Sequence, residues 1–139
     1  MNSELNVLAL AALLQTAHFV VVATGTHIEL PAGKPLGPRD PDKLGGHLRD
    51  LVSRRTGRII RAWENHFESL ALYTIATVVV TLADASTPFT AACAWAYLTA
   101  RVLYIPAYIL GLVPWRSLIW TVGFAAPALI LIATLASSG

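Results

Sequence analysis

Arg61, Asn65 and Glu68 are spaced i, i+4 and i+7, and Arg101, Tyr104 and Tyr108 are spaced i, i+3 and i+7. On a helix each spacing places its three side chains along one face. The first triad runs directly into the apolar stretch 70–82, and the second lies in the middle of another apolar stretch. Ionisable groups in such surroundings are costly unless paired, and they usually mark a site. The chemistry on offer is anion recognition. Guanidinium groups bind carboxylates in bidentate fashion, and tyrosine and asparagine add neutral donors. The same residues suit a thiolate. A free thiol titrates near pH 8.5, and adjacent cations lower that value. A small thiol held here would be activated as a nucleophile, its charge stabilised by fixed donors in a low-dielectric site.

The elements that must position these residues are membrane helices. The chain has 139 residues, 55% hydrophobic and 13% charged, with mean hydropathy +0.60. That composition predicts an all-α integral membrane protein, not a soluble domain. Four apolar spans can be drawn, at residues 5–26, 59–82, 89–112 and 115–136, each long enough for the roughly 20 residues a spanning helix needs. The prediction is a single membrane domain over 1–139, a bundle of four transmembrane helices. The stretch 70–82 alone makes only about 20 Å of helix against a hydrocarbon core of about 30 Å. The second helix must therefore carry its charged first turns into the membrane, which sets Asn65 and Glu68 below the surface. The first segment has Glu4 where a signal peptide would have bases, and Gln15 and His18 share a face. It reads as the first span and not as a cleaved leader.

Eight bases run from Lys34 to Arg61, whereas the connection between spans two and three has Asp84 and no base. The positive-inside rule then places both termini outside and the loop 29–57 in the cytoplasm, with Arg116 on the same side. This asymmetry accounts for the pI near 9.0, so the basic balance is no argument for nucleic acid. Cys93 is the one cysteine, too few for a disulfide relay or a cysteine metal cluster, and no metal site is predicted. Eight arginines against two lysines and abundant alanine point to a GC-rich bacterial genome, hence to a bacterial cytoplasmic membrane. The loop opens with turn formers, among them Pro31, Gly33, Pro35 and Gly37, and closes on a basic segment, 47–58, with Leu48, Leu51 and Val52 on one side. It reads either as a lid over a cytoplasmic site or as a tether. Pro106 and Pro127 fall inside spans three and four, where proline is tolerated and bends the helix.

Depth can be counted along the helices. Glu68 lies roughly 12–14 Å from the cytoplasmic end of its span and Arg101 roughly 16–17 Å from its own, at 1.5 Å per residue. Long side chains bridge that difference, so a Glu68–Arg101 ion pair is expected. Arg61, Asn65, Tyr104 and Tyr108 then lie above it, toward the cytoplasm, with Arg116 near the mouth.

The motifs Arg61-Ala62-x-x-Asn65-x-x-Glu68 and Arg101-x-x-Tyr104-x-x-x-Tyr108 resemble those of the MAPEG family, the membrane-associated proteins of eicosanoid and glutathione metabolism. Arg116-Ser117 is similar to an Arg-Ser pair in its prostaglandin synthase branch. The resemblance covers nearly the whole chain, the loop least. It implies a homotrimer with glutathione, or an equivalent small thiol, bound between neighbouring subunits near the cytoplasmic face. It implies that Arg61, Asn65, Glu68, Tyr104 and Tyr108 hold the thiol peptide, with Arg101 in the same stripe, and that Arg116 stabilises the thiolate. The implied activity is a transferase or peroxidase acting on a lipophilic electrophile that enters from the bilayer. Two departures bear on this. Ser69 stands where the eicosanoid branch tends to have an aromatic, and the spacing from Tyr108 to the catalytic arginine varies within the family. Both argue against a specific eicosanoid substrate.

Other readings compete. Glu68 and Arg101 could form a purely structural pair that fixes helix register. A non-catalytic trimer that binds lipid or a partner would carry the same spans. His18 and His66 fall at similar depth on the first two spans and could ligate a b-type haem, making the protein an electron carrier. Glu64 and His66 lie off the polar stripe and are expected at an interface or against the loop.

Overall fold

The computed structural model describes residues 1–31 and 34–139; Gly33, one of the turn formers, lies outside the described residues. Among those residues the fold is helical throughout. Four long helices carry it: α1 (Ser3–Glu29), α4 (Arg54–Leu82), α5 (Pro88–Leu110) and α6 (Trp115–Ser137). Between α1 and α4 lie a single 3-10 turn (Lys34–Leu36) and two one-turn helices, α2 (Pro41–Leu44) and α3 (Leu48–Leu51). Three of the long helices, α1, α5 and α6, are long and apolar enough to cross a membrane. The fourth, α4, is the longest at 29 residues, but Arg54, Arg55, Arg58, Arg61, Glu64 and Glu68 load its first half with charge.

Local chemistry sets the helix ends. Asn2 caps α1 by accepting from the Leu5 backbone N–H, and Ser53 caps α4 by accepting from that of Thr56. Thr87 and Thr90 form a reciprocal capping box at the start of α5, with Pro88 at the first helical position, where its missing N–H costs nothing. Gly111 ends α5 in the left-handed region at φ 68°, and an added Cβ there would also sit 3.0 Å from the Arg58 guanidinium. The second long helix begins at Arg54, ahead of the apolar span read from the sequence, because a carboxylate holds its first turn. Glu29, the last residue of α1, accepts from the Ser53 N–H (2.5 Å), the Ser53 hydroxyl (2.9 Å) and the Thr56 hydroxyl (2.6 Å). A carboxylate at a helix N-terminus satisfies orphan donors and complements the helix dipole. The two ends of the loop are thus tied to each other.

In the bundle α1 packs on α4 and α5, and α6 packs on α4 and α5, so α1 and α6 stand at opposite corners. The core joins Val7 and Ala11 of α1, Tyr73, Ala76 and Val80 of α4, Cys93, Ala94 and Tyr97 of α5, and Ala126 and Ile130 of α6. Alanines at the crossings let the backbones approach, as in other membrane bundles. Tyr73 and Tyr97 stack with centroids 4.2 Å apart and planes 4° from parallel. At the far end, Glu4 is fully buried. Its carboxylate accepts from Ser86 (2.8 and 2.9 Å) and Thr90 (2.5 Å), while the Tyr73 hydroxyl donates to its backbone carbonyl (2.9 Å). A residue noticed in the sequence only for lacking positive charge therefore anchors α1 to α4 and α5.

A cationic and phenolic wall

The candidate site begins with Arg101, which is fully buried. Its side chain crosses from α5 to α4, where Nη2 donates to Asn65 Oδ1 (3.0 Å) and Nε donates to His66 Nδ1 (3.2 Å). Its guanidinium carbon lies 4.7 Å from the centre of the Tyr104 ring, within cation–π range. Gly123 of α6 makes room for it: a Cβ there would sit 3.3 Å from both Cδ and Nη1 of Arg101. Nη1 itself is buried without a hydrogen-bond partner.

From Arg101 the polar groups continue toward the loop end of the bundle. The Tyr104 and Tyr108 rings are 5.5 Å apart and tilted by 37°. Arg116, from the first turn of α6, places its guanidinium 5.6 Å from the Tyr108 ring. Arg61 donates from Nε to the Tyr108 hydroxyl (3.1 Å). Two phenols are thus framed by guanidinium groups from three helices. They face an open cavity of about 410 Å³ lined by Tyr104, Tyr108, Arg116, Ser117, Trp120 and Thr121. No carboxylate lines it among the described residues. Cationic and hydroxyl donors with no carboxylate beside them are the chemistry that recognises an anion.

Five of the six residues singled out by spacing meet here, Arg61, Asn65, Arg101, Tyr104 and Tyr108, and Arg116, which the resemblance added, joins them. Glu68 does not join them within one chain. It is exposed on the outer face of α4, where it shares a second cavity of about 460 Å³ with Arg49, Trp63, Glu64 and Phe67. The expected Glu68–Arg101 ion pair is therefore not formed; Arg101 turns inward to two neutral acceptors, Asn65 and His66. The reason is angular. Asn65 and His66 look across to α5, whereas Glu68 opens to the side that also presents Phe67 and Ile75. The long side chain of Arg61 still reaches across to Tyr108. From the loop, Arg49 forms a salt bridge with Glu64 at 3.3 Å and lines the same cavity as Glu68.

His66 is the residue that sequence reasoning misplaced. It is fully buried, not interfacial. Because the Arg101 Nε–H can only donate, His66 Nδ1 must accept, so Nε2 carries the proton and donates to the Ala11 carbonyl (3.1 Å). Both ring nitrogens are then in use, and none is left for an axial haem bond. His18 spends its Nε2 on the Ile59 carbonyl (3.1 Å). The signal that could have found His66 is the core seam Ala62, His66, Ser69, Tyr73, Ala76 and Val80, with its alternating steps of four and three; all six are buried.

The family model described as the MAPEG family matches residues 5–136. No curated protein and no solved structure matches the chain.

Proposed function

This chain belongs to the MAPEG family, and we propose that it is a membrane transferase or peroxidase that uses glutathione, or an equivalent small thiol, against lipophilic electrophiles. The observation that carries the reading is the Tyr104–Tyr108–Arg116 wall, with Arg61 on the Tyr108 hydroxyl and no carboxylate in the cavity lining among the described residues. An anionic peptide finds its counter-charges there. A thiol brought beside Arg116 loses its proton more readily, because the guanidinium favours the thiolate. The thiolate sulfur then forms a bond to the electrophilic carbon, and the leaving group departs with its electron pair. Apolar acceptors concentrate in the bilayer and reach the cavity laterally.

In this proposal α4 is the fourth spanning helix, both termini lie outside, and the protein works as a homotrimer. The outer face of α4 supports the assembly. It exposes Phe67, Ile75, Val78 and Leu82 together with Glu68. A carboxylate on an apolar helix face is unfavourable against lipid and favourable against a neighbour that carries cations. A second copy packed there would return Glu68 to the site. A detergent-corrected mass of three chains of 14.9 kDa each is the expected result; a monomer would remove Glu68 from the site.

The direct test is titration of the purified protein with glutathione while the thiolate absorbance is followed. Saturable binding with thiolate formed below the ordinary thiol range is expected. A protein that binds no thiol would favour the non-catalytic, lipid- or partner-binding trimer. Arg61→Ala separates binding from chemistry. Arg61 holds the Tyr108 hydroxyl at the rim and meets the peptide alike in ground and transition states. Its loss is expected to raise KM for the thiol by about tenfold with kcat changed less than about twofold, the mark of uniform binding. A fall in kcat at unchanged KM would reassign it to the chemical step.

A further inference from the structure

We propose that His66 is a positioning residue: its Nδ1 holds the Arg101 guanidinium against Tyr104 and so fixes an uncompensated positive charge behind the cavity wall. The inference rests on the thiol-site reading for its consequence, but its geometry is independent of that reading.

Arg101 has two hydrogen-bonded partners, Asn65 Oδ1 and His66 Nδ1, both uncharged. Its third direction, Nη1, has none. Two acceptors on adjacent residues of α4 therefore define the plane and reach of the guanidinium, and the void above Gly123 accommodates its edge. His66 is in turn locked from behind, because its Nε2–H donates to Ala11 of α1. The ring cannot flip without exchanging a donor for an acceptor at both ends. The series Ala11 carbonyl, His66, Arg101, Tyr104 thus runs from α1 through α4 to the cavity wall on α5. A carboxylate at position 66 would neutralise Arg101, and an apolar residue would leave Nε bare. A neutral histidine in this tautomer satisfies Nε while leaving the charge whole. That charge adds to those of Arg61 and Arg116 around the phenols, and buried charge is weakly screened. The expected consequence is a lower thiol pKa in the cavity, with little change in how the rest of the peptide is gripped.

Amide side chains separate the two nitrogens of the ring. Asparagine places its oxygen close to the position of Nδ1, while glutamine reaches the position of Nε2. His66→Gln therefore keeps a donor for Ala11 and loses the acceptor for Arg101, and His66→Asn does the opposite. Two readouts apply to the full-length protein. In the first, glutathione and S-methylglutathione are titrated across pH. His66→Gln is expected to hold about three- to tenfold less thiolate at neutral pH, a rise of about half to one pKa unit, with S-methylglutathione affinity within about twofold of wild type. His66→Asn is expected to restore most of the thiolate. In the second, the Arg101 Nε–H resonance is followed by nitrogen-15 NMR without ligand. It is expected to be protected from exchange in wild type and His66→Asn, and lost in His66→Gln. A His66→Gln protein with wild-type thiolate and a protected Nε–H would overturn the proposal. So would equal loss of thiolate in both variants at unchanged helical content, which would make His66 a packing residue. If wild type binds no glutathione, the thiol reading falls by itself and the Nε–H resonance alone decides the positioning.

Discussion

Arg116→Ala is expected to lower the rate of conjugation of glutathione to an aryl halide by about a hundredfold, with the loss in kcat and little of it in KM. The magnitude is that of removing one preorganised donor from a developing anion in a water-poor site. Arg116 stands in the first turn of α6, half-buried, with its guanidinium 5.6 Å from the Tyr108 ring. That contact aims the charge into the cavity it shares with Ser117 and Trp120. Alanine removes the charge and keeps the helix, since it is the best helix former. The thiol should then titrate nearer its ordinary value, so the pH–rate profile should shift to the alkaline side and part of the activity should return at high pH. Arg116→Lys keeps a cation without the planar fork and should fall between the two. An alanine variant with an unchanged rate and an unchanged pH profile would show that the thiolate is stabilised elsewhere, with Arg61 the next candidate.

Gly123→Leu is expected to be the most damaging apolar substitution near the site. A Cβ at this position would meet Arg101 Cδ and Nη1 at 3.3 Å, and leucine adds three more carbons in the same direction. Overpacking of this kind costs about 1–3 kcal/mol. The displaced group is a buried guanidinium whose hydrogen bonds to Asn65 and His66 would be strained or lost, each worth about 1.5–3 kcal/mol when a charged donor is involved. Thermal unfolding in detergent, read by helical ellipticity, should fall clearly below wild type, and glutathione binding should weaken in parallel. Gly123→Ala needs a shift of only a few tenths of an ångström and should be far milder. If leucine is tolerated with stability and binding intact, the close approach of α6 to Arg101 is not what positions the guanidinium.

Much of this architecture was legible in the chain. Helical period and apolar length located the four long helices, because a helix satisfies all its backbone hydrogen bonds within its own segment, as an apolar environment demands. The polar triads marked the candidate site for the same reason: charge in an apolar helix is expensive, so it stands out from its neighbours. Spacing along a single helix was enough to place Arg61 with Asn65 and Arg101 with Tyr104 and Tyr108, and the two motifs together carried the family resemblance. The family model's match over residues 5–136 agrees with it.

Which side chains touch across helices was not legible. Spacing gives a direction only to within the width of a stripe, and the outcome depends on side-chain length and on what the facing helix offers. Arg61 bends to Tyr108 while Glu68, seven residues on, opens to the outside. Arg101 takes Asn65 and His66 as partners, not the carboxylate of Glu68. His66 lies off the polar stripe and so reads as an interface or loop contact, yet it sits on the buried seam with Ser69 and Tyr73, where a polar group must find partners from another helix. Gly123 and Glu4 show the same limit from opposite sides. One is a gap whose use appears only when Arg101 fills it. The other is a terminal carboxylate whose burial appears only when Ser86 and Thr90 close over it. Periodicity is a property of one helix and survives in one dimension; pairing is a property of two, and only the packed bundle decides it.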